Sequence, residues 1–172
     1  MILNRQRTVR VARPPLELFL RRVREKLGLE GAEVTICLVS DAEIARMNES
    51  FRKKTGPTDV LSFPAVGRRK PVSLRGRNGH ATLREGTASA VAKRAIERGA
   101  LAPESTPEFL GDIAISPATA RRNAKKFNRT LPNELQVLIL HGVLHLLGYD
   151  HETDRGQMHR LEQRLRQKLG LS

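Results

Sequence analysis

The segment LPNELQVLILHGVLHLLGYDH, residues 131–151, decides the fold of this chain. Its middle part, LQVLILHGVLHLL, is apolar almost all round, and a helix of that kind belongs in the middle of a fold. Thr130 and Pro132 are typical of a helix start, and Gly148 is typical of a helix end. We therefore predict a buried central helix that begins after Thr130 and ends near Gly148.

Three histidines in this segment, His141, His145 and His151, are spaced so that their side chains can meet at one point. His141 and His145 are four residues apart, so they lie on one face of the helix. A sharp turn at Gly148 lets His151 swing back to the same point. Three neutral imidazoles at about 2.0–2.1 Å suit zinc and leave a fourth tetrahedral position for water. The spacing predicts a catalytic site for one Zn²⁺ ion per chain. His80 and His159 lack such a pattern, and we interpret both as ordinary.

Carboxylates flank the third histidine at Asp150, Glu152 and Asp154. Each is a candidate for orienting a metal ligand or for transferring a proton. Each can equally be a charge at the entry to the next helix. Asp154 stands near the predicted start of the last helix, so we interpret it as a cap.

The rest of the chain predicts strands that alternate with helices. Strands are expected at 2–12, where Val9 and Val11 alternate with basic residues, and at 33–40, 59–63 and 111–116. Helices are expected at 16–27, from the Ser40 capping box to about residue 48, at 117–128 and at 154–169. The fold class is α/β or α+β, with one small mixed sheet of about four strands flanked by helices.

The length of 172 residues fits one domain over 1–172, interrupted by a basic block at about 66–108. Residues 66–100 hold nine Lys or Arg and two Glu, which is +7 of the net charge of +13. The first half is Gly-rich without periodicity and is expected to be a mobile loop, whereas 87–98 has helical spacing. We interpret the block as an insertion, either an arm that contacts phosphates or a tolerated surface insertion.

The charge balance and the lengths of the apolar runs indicate which classes of partner and which cellular location to expect. With 31 Lys plus Arg against 18 Asp plus Glu, the surface favours a polyanion, either nucleic acid or an anionic membrane, unless it only aids solubility. No apolar run approaches the ~20 residues of a membrane span. The basic N-terminus is not followed by an apolar stretch, so we do not expect it to be a signal peptide. The single cysteine, Cys37, excludes an internal disulfide framework and is expected to be a buried small hydrophobe. We therefore expect that the protein does not reside in a membrane and has a cytoplasmic location.

The histidine spacing is similar to the metzincin pattern H-E-x-x-H-x-x-G-x-x-H, with one departure. That pattern places a glutamate, the general base, directly after the first histidine. Here the position is Gly142. A peptidase of that class would lack its base, so the pattern counts against proteolysis although the ligands match.

The segment HGVLHLLGYDH more closely resembles the signature of the YbeY family, metal-dependent endoribonucleases of rRNA maturation. FRKKTGPTDVLSFP (51–64) and LGDIAIS (110–116) agree with the same family and occur in its order. The resemblance implies a single domain with a zincin-like metal helix and zinc on His141, His145 and His151. It also implies a role for Arg52 at the substrate phosphate, and work on rRNA and the small ribosomal subunit. The basic block is longer than the connection expected between TDVLSFP and LGDI.

The predicted function is therefore a metal-dependent endoribonuclease directed at single strands, acting in small-subunit rRNA processing and ribosome quality control. Zinc can activate water or hold a phosphate oxygen, and Arg52 can stabilise the charge that grows on the phosphoryl group. Either water or the ribose 2′-hydroxyl can be the nucleophile. Two alternatives remain: a zinc hydrolase of a peptide or small molecule, and a non-catalytic ribosome-assembly factor with a structural zinc.

Overall fold

The computed structural model describes residues 1–65, 108–151 and 154–171. The basic block lies outside the described residues, apart from Glu108, which the structure assigns to a strand. Glu152 and His80 also lie outside them. The hypotheses made for these residues stay predictions.

Four strands and five helices form the described part of the chain, in the class predicted from the sequence. The strands are β1 (Ile2–Asn4), β2 (Ala32–Leu38), β3 (Val60–Pro64) and β4 (Glu108–Ile115). The helices are α1 (Arg13–Leu27), α2 (Asp41–Arg52), α3 (Pro117–Lys126), α4 (Leu131–Leu146) and α5 (Gln157–Leu169). The sheet is mixed, in the order β1-β2-β4-β3, and only β3 runs antiparallel to its neighbour.

Helix α4 occupies the middle of the fold, as its all-apolar sequence predicts. It contacts α1, α3 and α5 as well as strands β3 and β4. The Thr130 hydroxyl caps it by accepting a hydrogen bond from the Asn133 N–H. Such a helix satisfies its own backbone groups, so its apolar side chains can be buried on several sides at once. The helix therefore gives the site a rigid base.

The two faces of the sheet carry different cores. Successive side chains of a strand point to opposite faces, so Ile113 and Ile115 of β4 join the main cluster with α1 and α4. Ala114 points the other way, into a smaller cluster with Ile44 of α2. Cys37 packs against this smaller cluster but is only partly buried, so the expectation of a buried cysteine is only partly met.

The predicted strand over 2–12 is wrong beyond Asn4. Val9 is buried, but it lies in a loop that the Gln6 side chain holds from both sides. The Gln6 amide donates to the Val9 carbonyl at 2.9 Å and accepts from the Val9 N–H at 2.9 Å. The side chain thus satisfies the backbone groups that a strand neighbour would otherwise bind.

Helix α2 starts where predicted and ends four residues later than predicted. The Ser40 hydroxyl accepts a hydrogen bond from the Glu43 N–H, as expected of the capping box. The helix then continues to Arg52 and ends at Lys53, which adopts a left-handed conformation with φ of 57°. Arg52 therefore stands on the last turn of a helix and not in a loop.

Helix α4 lies unusually close to strand β4 at Gly142. A Cβ atom at that position would lie 2.8 Å from Cγ2 and 2.9 Å from Cδ1 of Ile113. The Ser62 hydroxyl of β3 also donates to the Gly142 carbonyl oxygen at 3.2 Å. These contacts fix the distance between the helix and the two strands next to it.

Among the described residues, no helix combines the length and the apolar character needed to cross a membrane.

Candidate metal centre and RNA pocket

The three histidines singled out by their spacing meet at one point of the structure. One ligand nitrogen from each of His141, His145 and His151 lies within 4.8 Å of the other two. The Nε2 atoms of His141 and His145 are 3.1 Å apart. The ring centroids of the three imidazoles are separated by 4.7 to 5.4 Å. This group could hold a metal ion.

The turn after α4 brings His151 back to the helix. Gly148 has φ of 87°, a conformation that side chains disfavour and that glycine adopts readily. The Gly148 N–H donates to the His145 carbonyl at 2.9 Å, and the Tyr149 N–H donates to the Leu144 carbonyl at 3.1 Å. These bonds satisfy the last carbonyls of the helix and direct the chain toward His151.

The imidazole of His145 is neutral at neutral pH because its pKa is lowered. Burial, together with the neighbouring imidazoles of His141 and His151, lowers the pKa of His145 to about 4. The charge of Asp150 opposes this effect without cancelling it. A neutral imidazole has a lone pair for a metal, so no proton has to be displaced at neutral pH.

The histidines form one wall of a pocket with a volume of about 770 Å³. Strand β3 forms another wall, and the end of α2 contributes Phe51 and Arg52. Arg52 is exposed and therefore accessible to a ligand in the pocket. The structure thus places Arg52 and the three histidines around one cavity, although more than 80 residues of sequence separate Arg52 from His141.

The absence of a glutamate after His141 follows from the packing of the helix. Any side chain at Gly142 would collide with Ile113, which is fully buried in the sheet. A metzincin-type base cannot be accommodated there without moving α4 away from β4. The departure from the peptidase pattern is therefore built into the fold.

Comparison with known proteins shows the family to which the chain belongs. The family model described as Endoribonuclease YbeY matches residues 1–170. The chain belongs to the YbeY family. A protein of Solibacter usitatus named Endoribonuclease YbeY is 39% identical over 92% of this chain and 80% of its own length. One of Koribacter versatilis with the same name is 36% identical over 99% of this chain and 86% of its own length.

A solved structure shares the YbeY fold found here. The solution structure of a Thermotoga maritima protein has a TM-score of 0.53 and is 26% identical, with 98% of this chain and 89% of that chain covered. The mixed four-stranded sheet flanked by helices, expected from the sequence, is thereby confirmed.

A buried carboxylate that was not predicted from the sequence contacts the Nδ1 atom of His141. Glu162 of α5 is 7% exposed, and its Oε2 lies 3.3 Å from the Nδ1 atom of His141. Arg166, one turn further on, donates to the other carboxylate oxygen at 2.6 Å. Burial alone would raise the pKa of Glu162, but the hydrogen bond from His141 and the charge of Arg166 outweigh it and lower the pKa. An ionised Glu162 holds the Nδ1 proton and leaves Nε2 of His141 for the cluster.

The two histidines of α4 in this YbeY family member are spaced as ligands of a tetrahedral metal ion such as zinc. Two imidazole nitrogens bound to a tetrahedral zinc at 2.0–2.1 Å lie about 3.3 Å apart. The observed separation of 3.1 Å between the two Nε2 atoms of α4 is close to that value. The carboxylate behind His141 is the outer partner that metal-binding histidines usually have.

The carboxylates flanking His151 have different roles. Asp150 lines the pocket, close enough to His145 to affect its pKa. Asp154 caps α5 as expected: its two oxygens accept hydrogen bonds from the backbone N–H groups of residues 156, 157 and 158 at 2.6 to 3.1 Å. His159 is exposed on α5, away from the cluster, in agreement with the ordinary role expected for it.

Proposed function

We propose that this chain is a zinc-dependent endoribonuclease that hydrolyses phosphodiester bonds of single-stranded RNA in small-subunit rRNA processing and ribosome quality control. One observation carries the proposal: Arg52 and the cluster of His141, His145 and His151 line the same pocket. The YbeY relatives carry the name endoribonuclease, and the net charge of +13 suits an RNA partner.

We assign each pocket residue a separate role in the cleavage of a phosphodiester. Zinc held by the three imidazoles would supply Lewis-acid chemistry toward water or a phosphoryl oxygen. Arg52 matches the geometry of phosphate and balances the negative charge that develops on it. Glu162 keeps His141 in the tautomer and orientation that a metal ligand needs. Asp150, which lines the same pocket, is a candidate for proton transfer.

The peptidase alternative is disfavoured because the position after His141 is a glycine, and a side chain there would collide with Ile113. The assembly-factor alternative differs from an enzyme in one measurable respect, because a docking protein does not turn over its RNA. Cleavage of a single-stranded RNA that is lost on chelation and restored by zinc supports the enzyme. Chelation without effect on cleavage contradicts it.

The proposal predicts a specific result for Arg52→Ala. The variant should keep its zinc and lose RNA cleavage by about 10²–10³-fold, since one donor to the transition state is removed. Arg46→Ala is the matched control, because Arg46 is exposed on the same helix but does not line the pocket. Equal rates for the two variants would remove Arg52 from the mechanism.

The remaining expectations stay predictions. These are a single domain over residues 1–172 with an insertion at about 66–108, and a cytoplasmic location.

A further inference from the structure

We propose that Phe51 is a stacking platform for a base of single-stranded RNA, next to the phosphate that Arg52 binds. The inference rests on the proposed function, and it adds how the pocket would distinguish single strands from duplexes. It assigns to Phe51 a contact with the substrate and no part in the chemistry.

Phe51 is exposed to solvent and is oriented by a contact with another ring. Its side chain is 69% exposed, the largest exposure of any phenylalanine in the described part of the chain. The ring lies 5.0 Å from that of Phe63 on β3, at an interplanar angle of 70°. This edge-to-face contact orients the ring while most of its surface remains accessible to a ligand.

The pocket concentrates aromatic side chains in a chain that has few of them. The sequence has five Phe, one Tyr and no Trp. Three of these six, Phe51, Phe63 and Tyr149, line the pocket that also contains Arg52 and the histidine cluster. A single exposed apolar side chain needs no explanation. An exposed aromatic ring beside a pocket arginine is the combination that single-stranded RNA requires, with a flat apolar face for the base and a cation for the phosphate.

Phe51 and Arg52 both belong to the last turn of α2, and both line the same cavity. We infer that the ring and the guanidinium contact the same stretch of a bound strand. A base within a duplex is already stacked on both sides and cannot lie on a protein ring. Stacking on Phe51 therefore selects unpaired nucleotides, whereas Arg52 alone would accept the phosphates of either form.

Phe127 provides a control within the same chain. It is 54% exposed, but Arg129 and Lys126 lie at 5.4 and 5.8 Å from its ring centroid, and it does not line the pocket. Phe51→Ala and Phe127→Ala thus remove the same side chain from two exposed positions. Neither is expected to unfold the chain, and thermal denaturation checks this.

The test measures inhibition constants with the zinc-loaded chain, by competition against cleavage of a labelled single-stranded RNA. The competitors are an oligoadenylate and an abasic oligoribose phosphate of the same length, which carries the same charge without bases. Stacking contributes about 1–3 kcal/mol per base, so Phe51→Ala should weaken the oligoadenylate by about 5- to 150-fold. The abasic oligomer should inhibit the variant and the unmodified chain equally, and Phe127→Ala should leave both constants unchanged.

Phe51→Trp gives a second readout. The chain has no other tryptophan, so the emission of this variant reports on position 51 alone. Oligoadenylate should quench the emission, the abasic oligomer should not, and the affinity of the unmodified chain should be retained.

Three results would overturn the inference. If Phe51→Ala weakens both competitors equally, the ring supports the pocket and does not contact a base. If neither competitor is affected while the unmodified chain cleaves RNA normally, the exposed ring serves another partner and the proposed nuclease function stands. A zinc-loaded unmodified chain that cleaves no single-stranded RNA removes the proposed function and this inference together.

Discussion

Replacing Gly142 with alanine tests the contact that positions the metal helix. The new methyl group would lie 2.8, 2.9 and 3.3 Å from three side-chain carbons of Ile113, which is fully buried and cannot easily move aside. Overpacking of this kind costs about 1–3 kcal/mol. Alanine gains about 1 kcal/mol over glycine in a helix, so the expected net loss of stability is about 1 kcal/mol.

The sign of the effect should reverse when Ile113 is also replaced by alanine. That change removes the three carbons nearest to the new methyl group and leaves a cavity that the methyl group partly fills. Gly142→Ala should then stabilise the chain by about 1 kcal/mol, its helix-propensity gain, or slightly more. The coupling energy between the two positions is expected to be about 1–3 kcal/mol.

Urea denaturation of the four chains in the presence of a chelator measures this coupling, because bound metal would otherwise complicate the two-state analysis. Gly31→Ala is the control, since a Cβ atom there meets nothing within 4 Å. Its effect should be the same whether or not Ile113 is replaced. If Gly142→Ala stabilises the unmodified chain by its full propensity gain, the helix and the sheet are not in the close contact described here.

Three further predictions concern the metal centre. His145→Ala should lose zinc, because the two remaining imidazoles bind zinc poorly. The control variant His159→Ala on α5 should keep its zinc. Elemental analysis measures both, and a full equivalent of zinc in His145→Ala would show that the ligand set is wrong. Glu162→Ala should weaken zinc binding by about 10–100-fold in a chelator competition, and Glu162→Gln should weaken it less. An unchanged dissociation constant for zinc in Glu162→Ala would show that Glu162 does not support His141 as a metal ligand. The third prediction concerns the stability of the metal-free chain at acidic pH. The pKa of His145 is about 4 in the folded chain against 6.5 ordinarily, so the unfolded chain binds the extra proton between these values. Stability of the metal-free chain should be full above pH 6.5 and fall as the pH drops toward 4, by about 1–2 kcal/mol once the solvent reaching the half-buried ring is allowed for. Urea denaturation at several pH values should show this loss in the unmodified chain and less of it in His145→Ala.

The sequence predicted the parts of the fold whose local signals agree with the tertiary structure. Helix α4 was predicted because its residues are apolar all round and its caps, Thr130 and Gly148, are recognisable. The end of α2 was not, because the left-handed residue that ends it is Lys53, a lysine where such positions usually hold glycine. The alternation of Val9 and Val11 suggested a strand, yet a single side chain, Gln6, satisfies that backbone instead.

The site was predictable where spacing along one helix and turn determines it. His141, His145 and His151 belong to one local segment, so their convergence follows from helix geometry. Glu162 comes from another helix, and its role depends on how α5 packs against α4. One signal was available: Glu162 lies four residues after Met158 and three before Leu165, so a carboxylate interrupts a buried apolar stripe. A charged residue on such a stripe requires a partner, and here the partners are His141 and Arg166.

The packing of α4 also limits where a proton acceptor can stand in this pocket. Gly142 excludes a base directly after the first histidine, and Glu162 is engaged by His141 and Arg166. Two described carboxylates line the pocket, Asp59 and Asp150. The Asp59 oxygens accept hydrogen bonds from the Val60 N–H at 3.0 Å and the Asn123 amide at 3.0 Å, which fasten β3 to α3. Asp150 follows the turn that returns the chain to the cluster, and its charge acts on His145. Because its charge acts on His145, removal of Asp150 should alter the pH dependence of cleavage, whereas loss of Asp59 should chiefly loosen the strand that forms the pocket wall.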